Sequence, residues 1–230
     1  CSPEQILITE GIHQALDLVT RTLCNPGDYA WIEEPGYWGI KNILRINAVN
    51  FSAIPVDEQG MVPPDAGETP PKLIFVTPSH QYPLGSVMSL SRRRQLLFRA
   101  RETRSWIVED DYDSEFRFTG RPIPTLQSID DRGRVIYLNT FSQTISPSMR
   151  LGFLVLPPQL LERYRRNLGF YACTVPALEQ HVLARFISGG HYERHLARMR
   201  KEYRERRGAV LEAFRLSPLS QRVTFSEEGA

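Results

Sequence analysis

The chain has 230 residues, of which 41% are hydrophobic and 23% charged, and its formal net charge at pH 7 is +2. This composition is that of a folded globular protein with a real core, and it excludes a largely disordered chain. The small net charge gives no sign of a surface for nucleic acid or membrane, and no apolar run reaches the roughly 20 residues of a membrane-spanning helix. Three widely spaced cysteines, Cys1, Cys24 and Cys173, indicate reduced cytoplasmic thiols, with neither a disulfide framework nor a metal site.

Short apolar runs alternate with amphipathic segments along the chain. Strands are predicted at residues 6–9, 29–33, 49–56, 72–77, 106–109, 135–138 and 151–156. Helices are predicted at residues 12–23, 38–46, 91–100, 159–168, 177–187 and 191–214, the third capped by Ser91 and the last with a buried face of Leu196, Met199, Tyr203, Val210 and Leu211. The alternation predicts an α/β fold with a mostly parallel central sheet and helices on both of its faces.

Polar clusters follow several of these strands, in residues 11–14, 79–81, 110–112 and 140–150. In parallel sheets ligands bind at the carboxyl ends of the strands, so the clusters predict one shared binding site. Gly11 precedes a helix whose free N–H groups suit a phosphate, although a tight turn alone also explains this glycine. Arg150 follows several hydroxyl side chains and suits a phosphate too, with a plain surface arginine as the alternative.

Other residues of these clusters admit two interpretations each. Asp110 and Asp111 end an apolar strand, where a carboxylate could pair with a protonated ring nitrogen, or else belong to a solvated loop. Tyr37 could stack on a planar ligand or simply pack in the core. His80 could hydrogen-bond a ring substituent or be incidental to its loop.

Three longer segments are more specific than any single residue. They read TPSHQYPLG (77–85), IVEDDYDSEFRFTGRPIPTLQS (107–128) and VIYLNTFSQTISPSMRLGFLVLP (135–157). In these the chain resembles fold type I pyridoxal-phosphate (PLP) enzymes, the aspartate aminotransferase superfamily. Within it the chain is similar to the effector domains of MocR-type regulators, which join a GntR-type winged helix to an aminotransferase-like domain. The resemblance implies a PLP-binding large domain over residues 1–190, followed by a linking helix and the start of a small domain over residues 191–230.

The resemblance also implies a role for each site residue. Backbone N–H groups of Gly11, Ile12 and His13 would face the cofactor phosphate, although the family has serine and glutamine at positions 12 and 13. Tyr37 would stack on the pyridine ring and Asp110 would pair with its nitrogen. The remaining implied contacts are Tyr112 and His80 near the phenolic oxygen, and Thr140, Ser142 and Arg150 at the phosphate.

Gln143 departs from the family pattern at the position that decides the chemistry. The family reads TFSKT, where the lysine forms the Schiff base with PLP, and this chain reads TFSQT. A glutamine amide is neither a nucleophilic amine nor a useful base, so only non-covalent PLP binding is expected. The three lysines of the chain, Lys41, Lys72 and Lys201, lie outside the matching motif.

The resemblance suggests three functions, and the glutamine at position 143 decides their order. The first is a dimeric sensor domain of a MocR/GntR-type transcriptional regulator, with a B6 vitamer or a PLP–amino acid adduct as effector. DNA would be bound only through a winged helix that is absent from these residues. The alternatives are a fragment or lysine mutant of a PLP-dependent class I/II aminotransferase, and a decayed scaffold that retains only the fold and the dimer interface.

Overall fold

The computed structural model describes residues 1–222 apart from residues 65, 66, 68, 118–122 and 169–172. Strands of this part of the chain form one eight-stranded sheet. They are β1 (Ile6–Thr9), β2 (Tyr29–Glu34), β3 (Asn50–Asp57), β4 (Gly60–Met61), β5 (Leu73–Val76), β6 (Trp106–Asp110), β7 (Val135–Thr140) and β8 (Gly152–Val155). The helices are α1 (Gly11–Leu23), α2 (Trp38–Ile46), α3 (Leu90–Thr103), α4 (Leu126–Ile129), α5 (Pro158–Leu168), α6 (Ala177–Ser188) and α7 (His191–Arg215).

The sheet runs in the order β1-β8-β7-β6-β5-β2-β3-β4. From β3 to β7 every neighbouring pair is parallel, whereas β8 is antiparallel to both β7 and β1, and β4 is antiparallel to β3. The prediction of a mostly parallel sheet is confirmed. Its central strands are continuous apolar runs because both of their faces are covered.

Helices cover the two faces of the sheet as predicted. Successive strand residues point to opposite faces, so Ile32 packs with α1, α2 and α5, whereas its neighbour Trp31 packs with α3 and α4. A third, smaller apolar cluster of Leu151, Val175 and Leu183 anchors α6 beside β8. The carboxyl ends of β2, β5, β6 and β7 are thereby held at one edge of a rigid sheet.

Two local predictions are wrong. Ser89 caps α3 in place of Ser91, since its hydroxyl accepts a hydrogen bond from the backbone N–H of Arg92 at 3.2 Å. This start brings Arg92 and Arg93 into the first turn, where they pair with Asp57 and Glu109.

The predicted buried face of α7 is also wrong at two positions. Leu196 is buried, but Tyr203 is 39% and Val210 is 52% exposed. The reason is that α7 contacts residues 114–116 and Thr144 from its first half, and Tyr203, in the middle of the helix, lies edge to face on Phe116 with part of its ring left exposed. In that part, no helix is both long enough and apolar enough to cross a membrane.

Candidate functional site

A cavity of about 260 Å³ opens at the carboxyl ends of the central strands, beside the start of α1. It is lined by Ile12, His13, Tyr37, Thr77, Tyr82, Asp110, Tyr112, Thr140, Ser142, Gln143 and Arg150. Nine of these residues were predicted from the sequence as site residues, and Gly11 lies directly behind Arg150. Three of the four predicted clusters, in residues 11–14, 110–112 and 140–150, therefore converge at the place where α/β sheets bind ligands, whereas none of residues 79–81 lines the cavity.

One corner of the cavity is suited to an anion. Gly11 begins α1 with a φ of +75°, and a Cβ added there would lie 3.6 Å from the guanidinium carbon of Arg150. Arg150 is exposed and forms no ion pair within the described part of the chain. Thr140 and Ser142 place their hydroxyl oxygens 3.1 Å apart at the end of β7. A helix start, two hydroxyl groups and a free guanidinium fork together provide donors for a phosphate-sized anion.

Asp110 forms the opposite, acidic side of the cavity. Asp110 as a whole is partly exposed, but its Oδ1 atom is buried and has no hydrogen-bond partner in the described chain. Burial raises the pKa of Asp110 to about 8, and the nearby carboxyl groups of Asp111, Asp113 and Glu33 contribute to this rise. A buried, unpaired carboxyl group of this kind favours a ligand that brings an N–H donor or a cation.

The neighbouring Asp111 has a different role. Its Oδ2 atom accepts hydrogen bonds from Tyr137 Oη at 2.6 Å and from Ser114 Oγ at 2.7 Å. Asp111 does not line the cavity, because successive residues at the end of β6 point in opposite directions. Of the acidic pair, therefore, Asp110 is the one that lines the cavity, whereas the protein binds Oδ2 of Asp111 and leaves its buried Oδ1 without a partner in the described chain.

Aromatic side chains form the walls between the anion-binding and acidic ends. Tyr37 meets Tyr82 edge to face, with ring centroids 5.7 Å apart, and meets His13 at 5.5 Å. The hydroxyl group of Tyr37 is hydrogen-bonded to Nε2 of His13. Tyr112 lies on the acidic side, and burial raises the pKa of its phenol. These walls suit a flat ring held between the arginine and the aspartate.

One predicted site residue lies outside the cavity lining, and two lining residues were not predicted. His80 is only 3% exposed, lies outside the cavity lining and has its Nδ1 atom 2.9 Å from Asp113. Thr77 and Tyr82 line the cavity but were not singled out. Thr77 was detectable, since it follows β5 at the same sheet edge where Asp110 ends β6.

Gln143 lines the cavity next to Ser142, and this residue is exposed. None of the three lysines of the chain is among the lining residues. Lys41 pairs with Glu34, Lys72 lies 3.8 Å from Asp28, and Lys201 is on the outer surface of α7. Among the residues that the structure describes, the lining of the cavity therefore offers hydrogen-bonding groups and no lysine amine.

Comparisons with known proteins give two kinds of likeness. The family described as aminotransferase class I and II matches residues 1–226. The probable rhizopine catabolism regulatory protein MocR of Rhizobium meliloti is 46% identical over 209 residues, which are 90% of this chain and 42% of that protein. The uncharacterized HTH-type transcriptional regulator YdeL of Bacillus subtilis (strain 168) is 43% identical over 213 residues, covering 93% of this chain and 46% of that protein. The chain thus spans less than half the length of these regulators.

Among solved structures, the fold is similar to that of LysN, an α-aminoadipate aminotransferase from Thermus thermophilus. That crystal structure is complexed with N-(5'-phosphopyridoxyl)-L-leucine, and it matches with a TM-score of 0.87 and 30% sequence identity. The match covers 99% of this chain and 60% of the LysN chain. The likeness to fold type I aminotransferases therefore extends over nearly the whole chain, including the sheet that carries the cavity.

Proposed function

Because the chain belongs to the aminotransferase class I and II family, we propose that it binds PLP or a related B6 compound non-covalently. We further propose that it serves as the ligand-sensing domain of a MocR/GntR-type transcriptional regulator. The observation that carries the proposal is the lining of the cavity. It contains hydrogen-bond donors that suit a phosphate, and it contains the amide of Gln143 but no lysine. The relatives MocR and YdeL, both described as regulators, support the regulatory half of the proposal.

The residues of the cavity fit such a cofactor in charge and shape. Arg150, Thr140, Ser142 and the start of α1 would hold the phosphate, and Tyr37 would face the ring. The orphaned, buried Oδ1 atom of Asp110 would accept a hydrogen bond from the protonated ring nitrogen. When bound in enzymes, PLP supplies an aldehyde that links to amines and a ring that accepts electrons.

Gln143 determines what this chain can do with the cofactor. Its amide can donate and accept hydrogen bonds, but it cannot bond covalently to an aldehyde or move a proton near neutral pH. The site therefore binds and orients the ligand without a chain group that completes transamination. A binder of this kind is suited to sensing, since occupancy alone is the signal.

A route for that signal begins one residue beyond Gln143. Thr144 is buried, and α7 grips it through two contacts: its hydroxyl lies 3.2 Å from Tyr192 Oη, and its carbonyl oxygen lies 2.8 Å from His195 Nε2. A ligand that shifts residues 142–144 would therefore shift the start of α7. We propose that α7 leads from the large domain into the small domain, and that the sensor acts as a homodimer.

The test is a calorimetric titration of the chain with PLP and with pyridoxamine 5'-phosphate, followed by borohydride treatment and mass spectrometry. We expect reversible binding of both compounds and an unchanged protein mass after borohydride. Covalent labelling of any lysine would contradict the non-covalent site. Absence of binding by both compounds would leave only a scaffold function.

A second candidate is a PLP-dependent aminotransferase in which the lysine has been replaced, and the similarity to LysN favours it. The Gln143→Lys variant of the full-length protein separates the two. Repeated turnovers with an amino donor and a keto acid would favour the enzyme. Covalent cofactor binding without sustained turnover would favour the sensor.

A further inference from the structure

A second, smaller chamber of about 30 Å³ adjoins the main cavity. Tyr37, Thr77 and Asp110 line both spaces. The rest of its wall is apolar except for Glu33, and consists of Leu16, Ile32, Ile40, Phe75, Val76 and Val108. Glu33 and Asp110 are the two carboxyl groups among the ten residues that line the chamber.

Each of these carboxyl groups has one buried oxygen without a partner. Glu33 is 6% exposed, and its Oε2 atom accepts hydrogen bonds from Thr77 N at 3.2 Å, Thr77 Oγ1 at 2.7 Å and Gln81 Nε2 at 3.2 Å. Its Oε1 atom and Oδ1 of Asp110 are buried and have no partner in the described chain. Buried polar atoms are nearly always hydrogen-bonded, and a space of this size with polar groups on its wall takes about two water molecules. Since both residues line one small chamber, their unpartnered oxygens point to a hydrated contact between the two carboxyl groups.

We propose that Glu33 is a positioning residue of the cofactor site, which acts on Asp110 through water held in this chamber. Because both carboxyl groups are buried and the charge of Glu33 opposes ionisation of Asp110, we expect the pair to share one negative charge near neutral pH. Without a cation in the cavity the negative charge lies on Glu33, because its carboxylate accepts three hydrogen bonds, and the proton lies on Asp110. A cation beside Asp110 draws the charge to Asp110, and the proton passes through the water to Glu33.

The surrounding charges agree with this arrangement. Burial raises the pKa of Glu33 to about 7, against the lowering effect of Thr77 and Gln81. Burial also raises the pKa of Asp110 to about 8, with contributions from Asp111, Asp113 and Glu33. Other titratable or charged groups that face Asp110 across the main cavity are His13, Tyr37, Tyr82, Tyr112 and Arg150. Arg150 lies on the phosphate side, so an occupant with a cationic ring is the group that shifts the charge to Asp110.

The identity of that cation as a cofactor ring nitrogen rests on the proposed function, but the carboxyl pair itself does not. The test is therefore a carbon-13 NMR titration of the side-chain carboxyl carbons of aspartate and glutamate, first without any ligand. The Asp110→Asn and Glu33→Gln variants assign the two signals. We expect both signals to titrate above about pH 6 and to show two linked steps each. Independent titration of both groups below about pH 5, where unperturbed carboxyl groups titrate, would overturn the inference.

The Glu33→Gln variant gives the second arm. Removing the like charge lowers the titration midpoint of Asp110 by about one pH unit. The matched control is Glu34→Gln, the adjacent glutamate, which is exposed, pairs with Lys41 and leaves that midpoint unchanged. An unchanged midpoint in a folded Glu33→Gln protein would refute the role of Glu33. If this variant does not fold, the linked steps of the unmodified chain decide the question.

Addition of pyridoxamine 5'-phosphate between the two unliganded titration midpoints gives the third arm. The Asp110 signal should move towards the carboxylate value while the Glu33 signal moves towards the carboxylic acid value. Movement of Asp110 alone would refute the proton exchange. If the two carboxyl groups titrate as a linked pair but the compound does not bind, the coupling of Glu33 and Asp110 is supported and the proposed function is rejected. Failure of the inference can therefore be told apart from failure of the proposed function.

Discussion

Arg150 gives the sharpest prediction, because its backbone and its side chain have opposite effects. Its φ of 48° and ψ of 34° place it in the left-handed region, which costs a residue with a Cβ roughly 1–2 kcal/mol. Glycine relieves this strain, but it also increases the conformational entropy of the unfolded chain, which lowers the free energy of unfolding by about 0.4–1 kcal/mol. We therefore expect Arg150→Gly to raise the free energy of unfolding by about 0.5–1 kcal/mol, a trade-off typical of strained functional positions.

We expect the side chain of Arg150 to contribute to ligand binding and not to stability. Hydrogen bonds to a charged group contribute about 1.5–3 kcal/mol, so loss of the guanidinium should weaken pyridoxamine 5'-phosphate binding by roughly 10- to 100-fold. Arg150→Gln should lose the same affinity without gaining stability. Pyridoxamine, which lacks the phosphate, should bind all three proteins alike.

Arg104 supplies the matched control for both effects. It also lies in the left-handed region, with a φ of 56°, at the C-terminal end of α3 and away from the cavity. Arg104→Gly should gain similar stability in urea denaturation and keep full affinity in calorimetry. The reasoning is refuted if Arg150→Gly binds the phosphate compound as tightly as the unmodified chain, or if its affinity for pyridoxamine falls equally.

Three further predictions concern stability, measured by urea denaturation. Ser89→Ala should cost about 1 kcal/mol because it removes the cap of α3, whereas Ser91→Ala should cost almost nothing; equal costs would contradict the assigned cap. Arg93→Met should cost about 1–3 kcal/mol, because it removes the hydrogen bonds from Arg93 to the buried carbonyl oxygens of Met88 and Pro78. Burial already raises the pKa of Glu109 to about 7, so Glu109 can lose its charge by taking up a proton, and an unchanged stability would show that Arg93 is not needed. The pKa of Asp110 is raised from 3.8 to about 8, so the folded chain binds the extra proton and stability falls as pH rises through this window. The free energy of unfolding of Asp110→Asn should not show this fall, so the variant should compare better with the unmodified chain at about pH 8.5 than at about pH 5. Parallel profiles of unfolding free energy against pH for the two proteins would disprove the pKa shift.

Periodicity was sufficient to identify the α/β fold. Each central strand is a short apolar run and the helices that cover it carry apolar stripes, because the sheet is covered on both faces and these patterns are local. The rule that ligands bind at the carboxyl ends of strands then located most of the cavity from the sequence. The amide at position 143, where the resemblance leads us to expect a lysine, can also be read from the sequence without a structure.

Only the tertiary structure decided between adjacent, chemically equal residues. Asp110 faces the cavity whereas Asp111 is bound by Tyr137, and Glu33 is buried at the chamber whereas Glu34 is exposed. His80 likewise lies outside the cavity lining, with its ring paired to Asp113. A side chain's direction depends on strand register and on partners tens of residues away, and composition and spacing carry no record of either. The sequence therefore determined the fold and the edge of the sheet where the cavity opens, and long-range packing determined which carboxyl groups line it.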